Sequence, residues 1–399
     1  MHINSRHPAS RSLSRAAVIL MMPTVVKAIL VFVLALVSIA AHGMAGKGAV
    51  EAGKDRLDAI LGGSPAATGG APSNGQDAAV APAAAAPDGL VASGNYARPT
   101  LDGLTVAAEG PGMASLYRWT RAASAWKGGL VVSASPATAG RCYVPRLAGG
   151  VMSWRWGNKE AGKLHGPGLL VGGRILYPGL TEGAARLALT PAGVVLMSKN
   201  TEWGLLDASG AVIKRGTFSP GMSTGEKFGF RVDGQTWAVC HNGWSGQPSA
   251  LAYGTSAGAI RRVTWADRAV YPSQGDDLNY PALAIHSGAF WCASVLAGQL
   301  RVNCYRKGGL RWPATALPTL GPATLQERCP PALVTDGGRL WAVWCYKGQI
   351  MLADVERVIK RKAKPIVVTR GDQPAAQSVG DKVVIVHRVD GGVRAITIL

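Results

Sequence analysis

Acidic residues are scarce in this chain: 23 Asp and Glu stand against 42 Lys and Arg across 399 residues, for a formal charge of +19. Charged residues of both signs reach only 16%, while Gly alone occupies 52 positions. So many glycines exclude long uninterrupted helices and favour short elements joined by tight turns. No Cys-x-x-Cys occurs and no Cys/His pair has finger spacing, so no zinc site is expected. A phosphate loop, a dinucleotide fingerprint and His-Glu-x-x-His are all missing, which leaves no cofactor to expect. No RNA- or DNA-reading motif accompanies the basic charge, so nucleic acid is not the expected partner.

The first 45 residues contain no acid at all. Arg6, Arg11, Arg15 and Lys27 precede a 14-residue apolar core, Ala28 to Ala41, and Gly43-Met44-Ala45 supplies small residues for cleavage. This predicts export, with residues 1–45 as a signal peptide and the mature chain periplasmic or secreted. Uncut, residues 28–46 are long enough for a signal anchor that leaves the four bases cytoplasmic. Residues 46–95 read as a linker, because Ala, Pro, Gly and Ser dominate from Gly62 to Ser93 and cannot build a core.

From residue 96 onward, short apolar runs alternate with Gly, Asp and Asn. A unit recurs most clearly as Pro281-Ala282-Leu283-Ala284, Phe290-Trp291-Cys292-Ala293 and Gln299-Leu300-Arg301-Val302. It returns from Pro331 and from Pro374, and more faintly from Ser115, Ala184 and Lys227. Units of roughly 40–50 residues predict an all-β fold, a β-propeller of four-stranded blades. Six openings give six blades. The interval from 115 to 184 is long; it holds either an insertion, Gly157 to Gly168, or a seventh blade. After Pro374 only three strands fit, so a strand near the start, Gly103 to Ala108, is expected to complete the last blade and remove an exposed edge. Trp237, Trp291 and Trp341 each stand ten residues after an opening, where large rings pack between neighbouring sheets. Six cysteines agree with export. Cys292 and Cys304 flank Gly298 symmetrically, and Cys329 and Cys345 flank Gly337, which predicts two disulfides across hairpins. Cys142 and Cys240 remain, paired or free.

An acid stands just before the inner strand of five units: Glu182, Glu226, Asp276 with Asp277, Glu327 and Asp372. In a propeller these share one mouth of the channel with the loops between second and third strands, which carry His241, Trp244 and Tyr346. A ring of carboxylates with aromatics and bases suits a sugar, a cation or a basic peptide. Two Gly-x-Ser-x-Gly strings, at Gly221 and Gly254, lack the strand-turn-helix setting of a nucleophile elbow. The basic run Arg357, Lys360, Arg361, Lys362 and Lys364 guards an outer edge against pairing, or meets anionic lipid.

The unit Pro-Ala-Leu, Gly, Trp-Ala-Val-Trp, Gly-Gln-Ile resembles blades of the sialidase-like six-bladed propeller superfamily over residues 184–399. The family's Asp-box is matched only in part, by Asp336-Gly337-Gly338-Arg339-Leu340-Trp341, with Val334 where the motif has Ser. The resemblance implies an arginine cluster at the mouth, for which Arg186, Arg328 and Arg370 are candidates. Two functions follow as expectations. One is an exported binding or scaffold module for a glycan or envelope protein, in contact with the membrane through its N-terminal segment or the run 357–364. The other is a sialidase-like glycoside hydrolase using the acids at the mouth.

Overall fold

The computed structural model describes residues 88–134, 141–158, 163–180, 185–222, 228–241, 249–255, 260–266, 280–312, 316–326, 329–336 and 338–398. The signal segment and nearly all of the expected linker lie outside them. Among the described residues no helix is long and apolar enough to cross a membrane.

The chain is an all-β propeller of seven blades. Strand β1 (Gly89–Ser93) comes first but belongs to the last blade. Blade 1 is β2 (Ala97–Asp102), β3 (Thr105–Glu109), β4 (Ser115–Ala122) and β5 (Ala125–Ser133). Blade 2 is β6 (Cys142–Ala148), β7 (Val151–Asn158), β8 (Lys163–Val171) and β9 (Arg174–Leu176). Blade 3 is β10 (Arg186–Thr190), β11 (Gly193–Met197), β12 (Glu202–Leu206) and β13 (Val212–Thr217). Blade 4 is β14 (Phe228–Asp233), β15 (Thr236–His241), β16 (Ser249–Gly254) and β17 (Arg261–Ala266). In blade 5, β18 (Ala282–His286), β19 (Ala289–Leu296) and β20 (Gln299–Arg306) are flanked by two short pieces, β21 (Gly309–Leu310) and β22 (Thr319–Pro322). Blade 6 is β23 (Ala332–Asp336), β24 (Arg339–Tyr346), β25 (Gln349–Asp354) and β26 (Ile366–Arg370), with a short helix α1 (Val355–Ile359) before the last strand. Blade 7 is β27 (Asp372–Val379), β28 (Lys382–Val389) and β29 (Gly392–Ile398), completed by β1.

Each innermost strand packs beside the next, β2 on β6 and so on through β10, β14, β18, β23 and β27, and β27 returns to β2. The ring is therefore closed. Second strands are apolar on both faces because each blade is covered by two neighbours. Leu340 through Cys345 are all buried. The tryptophans sit as expected: Trp237 packs edge-on to Trp203 of blade 3, Trp291 joins the cluster between blades 5 and 6, and Trp341 the one between blades 6 and 7.

Seven blades is the alternative that the long interval left open. Blade 2 occupies that interval, and the described residues 157–158 and 163–168 of the stretch offered as an insertion are on its strands β7 and β8. Ser115 opens a third strand, not an inner one. The closing strand does come from the N-terminal side, but it is Gly89–Ser93. The stretch Gly103 to Ala108 instead runs from a turn into β3 of blade 1. The reason is compositional: in β1, Val91 alone is buried while Leu90 is 49% exposed, so the strand shows little hydrophobic signal.

The two cross-hairpin disulfides do not form; all six cysteines are free and buried. The hairpin between β19 and β20 turns on two residues, Ala297 (φ 50°) and Gly298 (φ 69°), the left-handed pair that matches strand twist. Its centre lies between them, not on Gly298. That half-residue slip sets Cys292 opposite Asn303 and Cys304 opposite Trp291, which places the two thiols on opposite faces. Likewise the β23–β24 hairpin pairs Asp336 with Arg339, and Cys329 lies before β23, outside the paired residues.

Val91→Asp is expected to lower stability by about 3 kcal/mol, because it forces a carboxylate into the closed blade. Leu90→Asp on the exposed face should change it by less than about 1 kcal/mol. Denaturant unfolding of the two variants checks the closure.

Candidate binding channel

The inner strands of all seven blades enclose a cavity of about 410 Å³. Its entry end, where the chain enters each inner strand, is the mouth at which the sequence places its acids. Of those acids, Glu182, Glu226, Asp276, Asp277 and Glu327 lie outside the described residues, as do Arg328 and Trp244. Asp372 is described, and Arg388 of the neighbouring strand β28 grips it through two hydrogen bonds, Nε reaching Oδ1 at 2.6 Å. Both side chains are partly exposed. His241 ends β15 and is fully buried. Tyr346 ends β24, packs half-buried against the core of blades 5 and 6, and lies beneath the Lys347 ammonium. Arg370 borders, with Asp372, Arg388 and Arg394, a separate cavity of about 520 Å³. Arg186 does line the channel.

Among the described residues that line the channel, Arg146, Arg186 and Arg231 outnumber the acid Asp102. Blades 7, 1 and 2 open alike, with a residue of positive φ followed by proline: Gln373-Pro374, Arg98-Pro99 and Val144-Pro145 (φ 49°, 47° and 55°). The inner strand slips register at each. Positive φ is strained for such residues, above all β-branched Val144. At each, the strained N–H donates to a side chain from an earlier part of the ring. Gln373 N reaches Gln326 Oε1 at 2.8 Å, Arg98 N reaches Gln373 Oε1 at 2.7 Å, and Val144 N reaches Glu109 Oε2 at 3.1 Å. Arg98 and Glu109 form a buried ion pair. This relay joins the blades on both sides of the ring closure.

Arg146 and Arg186 extend the basic character. Burial lowers the Arg146 pKa from its ordinary value, and Arg98 nearby lowers it further. Arg186 donates to the Phe228 carbonyl at 3.0 Å and stacks over the rings of Tyr280 and Phe228. Cys329 lines the same end; burial pushes its thiol up to about 12, so it is neutral.

Arg231 stands apart. It projects from β14 into the lumen, and its Nε and Nη2 donate to the carbonyls of Leu283 and Leu333, at 3.1 and 3.3 Å. The side chain is accessible from the lumen yet walled in by the protein, and that enclosure lowers its pKa from the ordinary value. Among the described residues no carboxylate pairs with it. It also lines a chamber of about 310 Å³ toward the hairpin end, shared with Asp233, Thr335, Gln377 and Ser378. Among the described residues no cluster of His, Cys, Asp or Glu is arranged to hold a metal. A lumen that presents a guanidinium beside hydroxyls, an amide and the Asp233 carboxylate suits a polar ligand whose anionic group meets Arg231. The sequence reading missed Arg98, Glu109, Arg146 and Arg231. The Arg98-Pro99 pair was a local sign of the first.

No protein-family model matches the chain, and no curated protein matches it. Solved structures do. Hydrazine synthase from Kuenenia stuttgartiensis is 10% identical with a TM-score of 0.49, over 82% of this chain and 99% of that one. The WD40 propeller domain of Doa1 is 11% identical at 0.45, over 77% and 95%. A Trypanosoma rangeli sialidase bound to the inhibitor DANA is 11% identical at 0.39; 76% of this chain matches 55% of that one. The blade count rests on the sheets themselves and not on these likenesses.

Glu109→Gln should cost about 3 kcal/mol, since it leaves the buried Arg98 guanidinium without its counter-ion. Asp372→Asn, in a partly exposed pair, should cost less than about 1 kcal/mol. Urea melts of both variants separate the two acids.

Proposed function

We propose that this propeller is a binding module, exported to the envelope or beyond, that recognises a glycan bearing carboxylate groups through its central channel. The observation that carries this reading is Arg231: a cation open to the lumen, held in place by two backbone carbonyls, with no carboxylate partner among the described residues. An incoming carboxylate would accept from the guanidinium in a charge-assisted hydrogen bond. Thr335, Gln377 and Ser378 would meet the hydroxyls of the same sugar. The net charge of +19 draws acidic polymers toward the molecule at low salt.

A second contact is supported by the outer face of blade 6. Arg357, Lys360, Arg361, Lys362 and Lys364 are all exposed there, and Ile366 and Val367 beside them are 56% and 52% exposed. Helix α1 starts on the Asp354 carboxylate, which accepts from Arg357 N at 3.0 Å, so the run is held on a defined turn. Cations beside apolar side chains fit an anionic membrane surface.

Titration calorimetry with uronic-acid oligosaccharides and their neutral counterparts tests the first reading. The acidic series should bind the full chain, and Arg231→Gln should weaken it at least about 10-fold. Equal affinity for the neutral series, or an unchanged Arg231→Gln, rejects it. Release of new reducing ends during the titration favours glycoside hydrolysis instead. For the second reading, sedimentation with phosphatidylglycerol vesicles should fall when Lys360, Arg361 and Lys362 are changed to Gln, and binding to phosphatidylcholine vesicles should be weak throughout.

A further inference from the structure

The wall between blades 4 and 5 holds two thiols in contact. Cys240, on β15, and Cys292, on β19, are 52 residues apart in sequence and have their sulfurs 3.7 Å apart. Both are buried, at 0% and 2% exposure, in a cluster with Ala238, Leu251, Leu283 and Phe290. Gly229 makes the approach possible. A side chain there would meet Leu283 Cβ at 2.9 Å and the Cys240 sulfur at 3.1 Å. The absence of a side chain lets the inner strands of blades 4 and 5 come together and leaves room for the Cys240 sulfur. Hairpin symmetry gives no sign of this pair, because its members lie on different sheets.

We propose that Cys240 and Cys292 are a modification site: they form a disulfide that clamps blade 4 to blade 5 when the chain folds in an oxidising compartment. The oxidant is a second disulfide, that of a dithiol carrier or of glutathione. One cysteine thiolate attacks it, forms a mixed disulfide and releases the first thiol. The other thiolate then attacks the protein sulfur of that mixed disulfide and releases the second thiol. Two electrons pass to the oxidant, and the two protons end on its thiols. Burial pushes the Cys292 thiol well above its ordinary range, and contact with Cys240 adds to this. Exchange therefore precedes the docking of blade 5 on blade 4, while the thiolates are still in water. The crosslink closes a loop of 52 residues, about one blade's length, and it removes disorder from the unfolded chain without adding to the folded surface.

The test uses the full chain, unfolded and reduced, then refolded in a mixture of reduced and oxidised glutathione. After alkylation in denaturant, a non-reducing digest is read by mass spectrometry. The expected result is one linked peptide pair containing Cys240 and Cys292, with Cys142, Cys304, Cys329 and Cys345 alkylated. Six alkylated cysteines, or a link that leaves out either Cys240 or Cys292, overturn the proposal. Dithiothreitol should lower the Tm of the refolded chain by about 5 °C or more, and should leave the Tm of Cys240→Ala and Cys292→Ala unmoved. The same fall in those variants, or none in the parent, counts against it.

Discussion

Pairing between β1 and β29 decides whether blade 7 has its fourth strand, and it ties the N-terminal side of the propeller to its C-terminal strand within one sheet. In a propeller each sheet buries its two faces only against its neighbours, so no blade has a core of its own. A closed ring gives every blade two partners, and an open one leaves two faces and an edge in water. Here a five-residue strand from the N-terminal side supplies the missing pairing, and β27 lies against β2 to complete the circle.

The closure is reinforced by polar contacts rather than by more apolar surface. Gln326, Gln373 and Glu109 each accept from a strained N–H at the start of an inner strand, and Arg98 pairs with Glu109, so the contacts run from the connection before blade 6 to blade 2 across the seam. Gln377 adds another, accepting from Gly103 N on the far side of the join. Buried polar groups linked in this way fix a register that apolar packing alone leaves free to slide. The strain at Arg98, Val144 and Gln373 persists because the relay holds it.

Inner strands face a lumen on one side and the rest of the blade on the other, so what they carry there is spared from core packing. Arg231 is anchored by carbonyls of two blades beyond its own, a geometry that keeps the guanidinium in the channel. Between blades 4 and 5 the same close approach of inner strands, made possible at Gly229, brings two thiols together in a dry interface. Both features come from how near adjacent blades lie, and neither belongs to a single sheet.

Local patterning in the chain was enough for the β architecture, the repeat of 40–50 residues, the tryptophans between blades and the need for an N-terminal closing strand. Those properties follow from side-chain size and turn chemistry within one unit, which a linear reading can see. The seventh blade was legible only as an overlong interval, because Gly157, Gly166 and Gly168 on β7 and β8 read as loop residues, although the Trp154 ring packs over Gly168. Which strand completes blade 7 is seen only in the pairing: Gly89–Ser93 lies on β29, while Thr105–Glu109 is the second strand of blade 1. Cysteine partners turned on the half-residue position of a turn centre and on an inter-blade contact across 52 residues. The basic lumen was hidden for the same reason: Arg146, Arg186 and Arg231 come from three blades, and nothing in the chain between them shows that they meet.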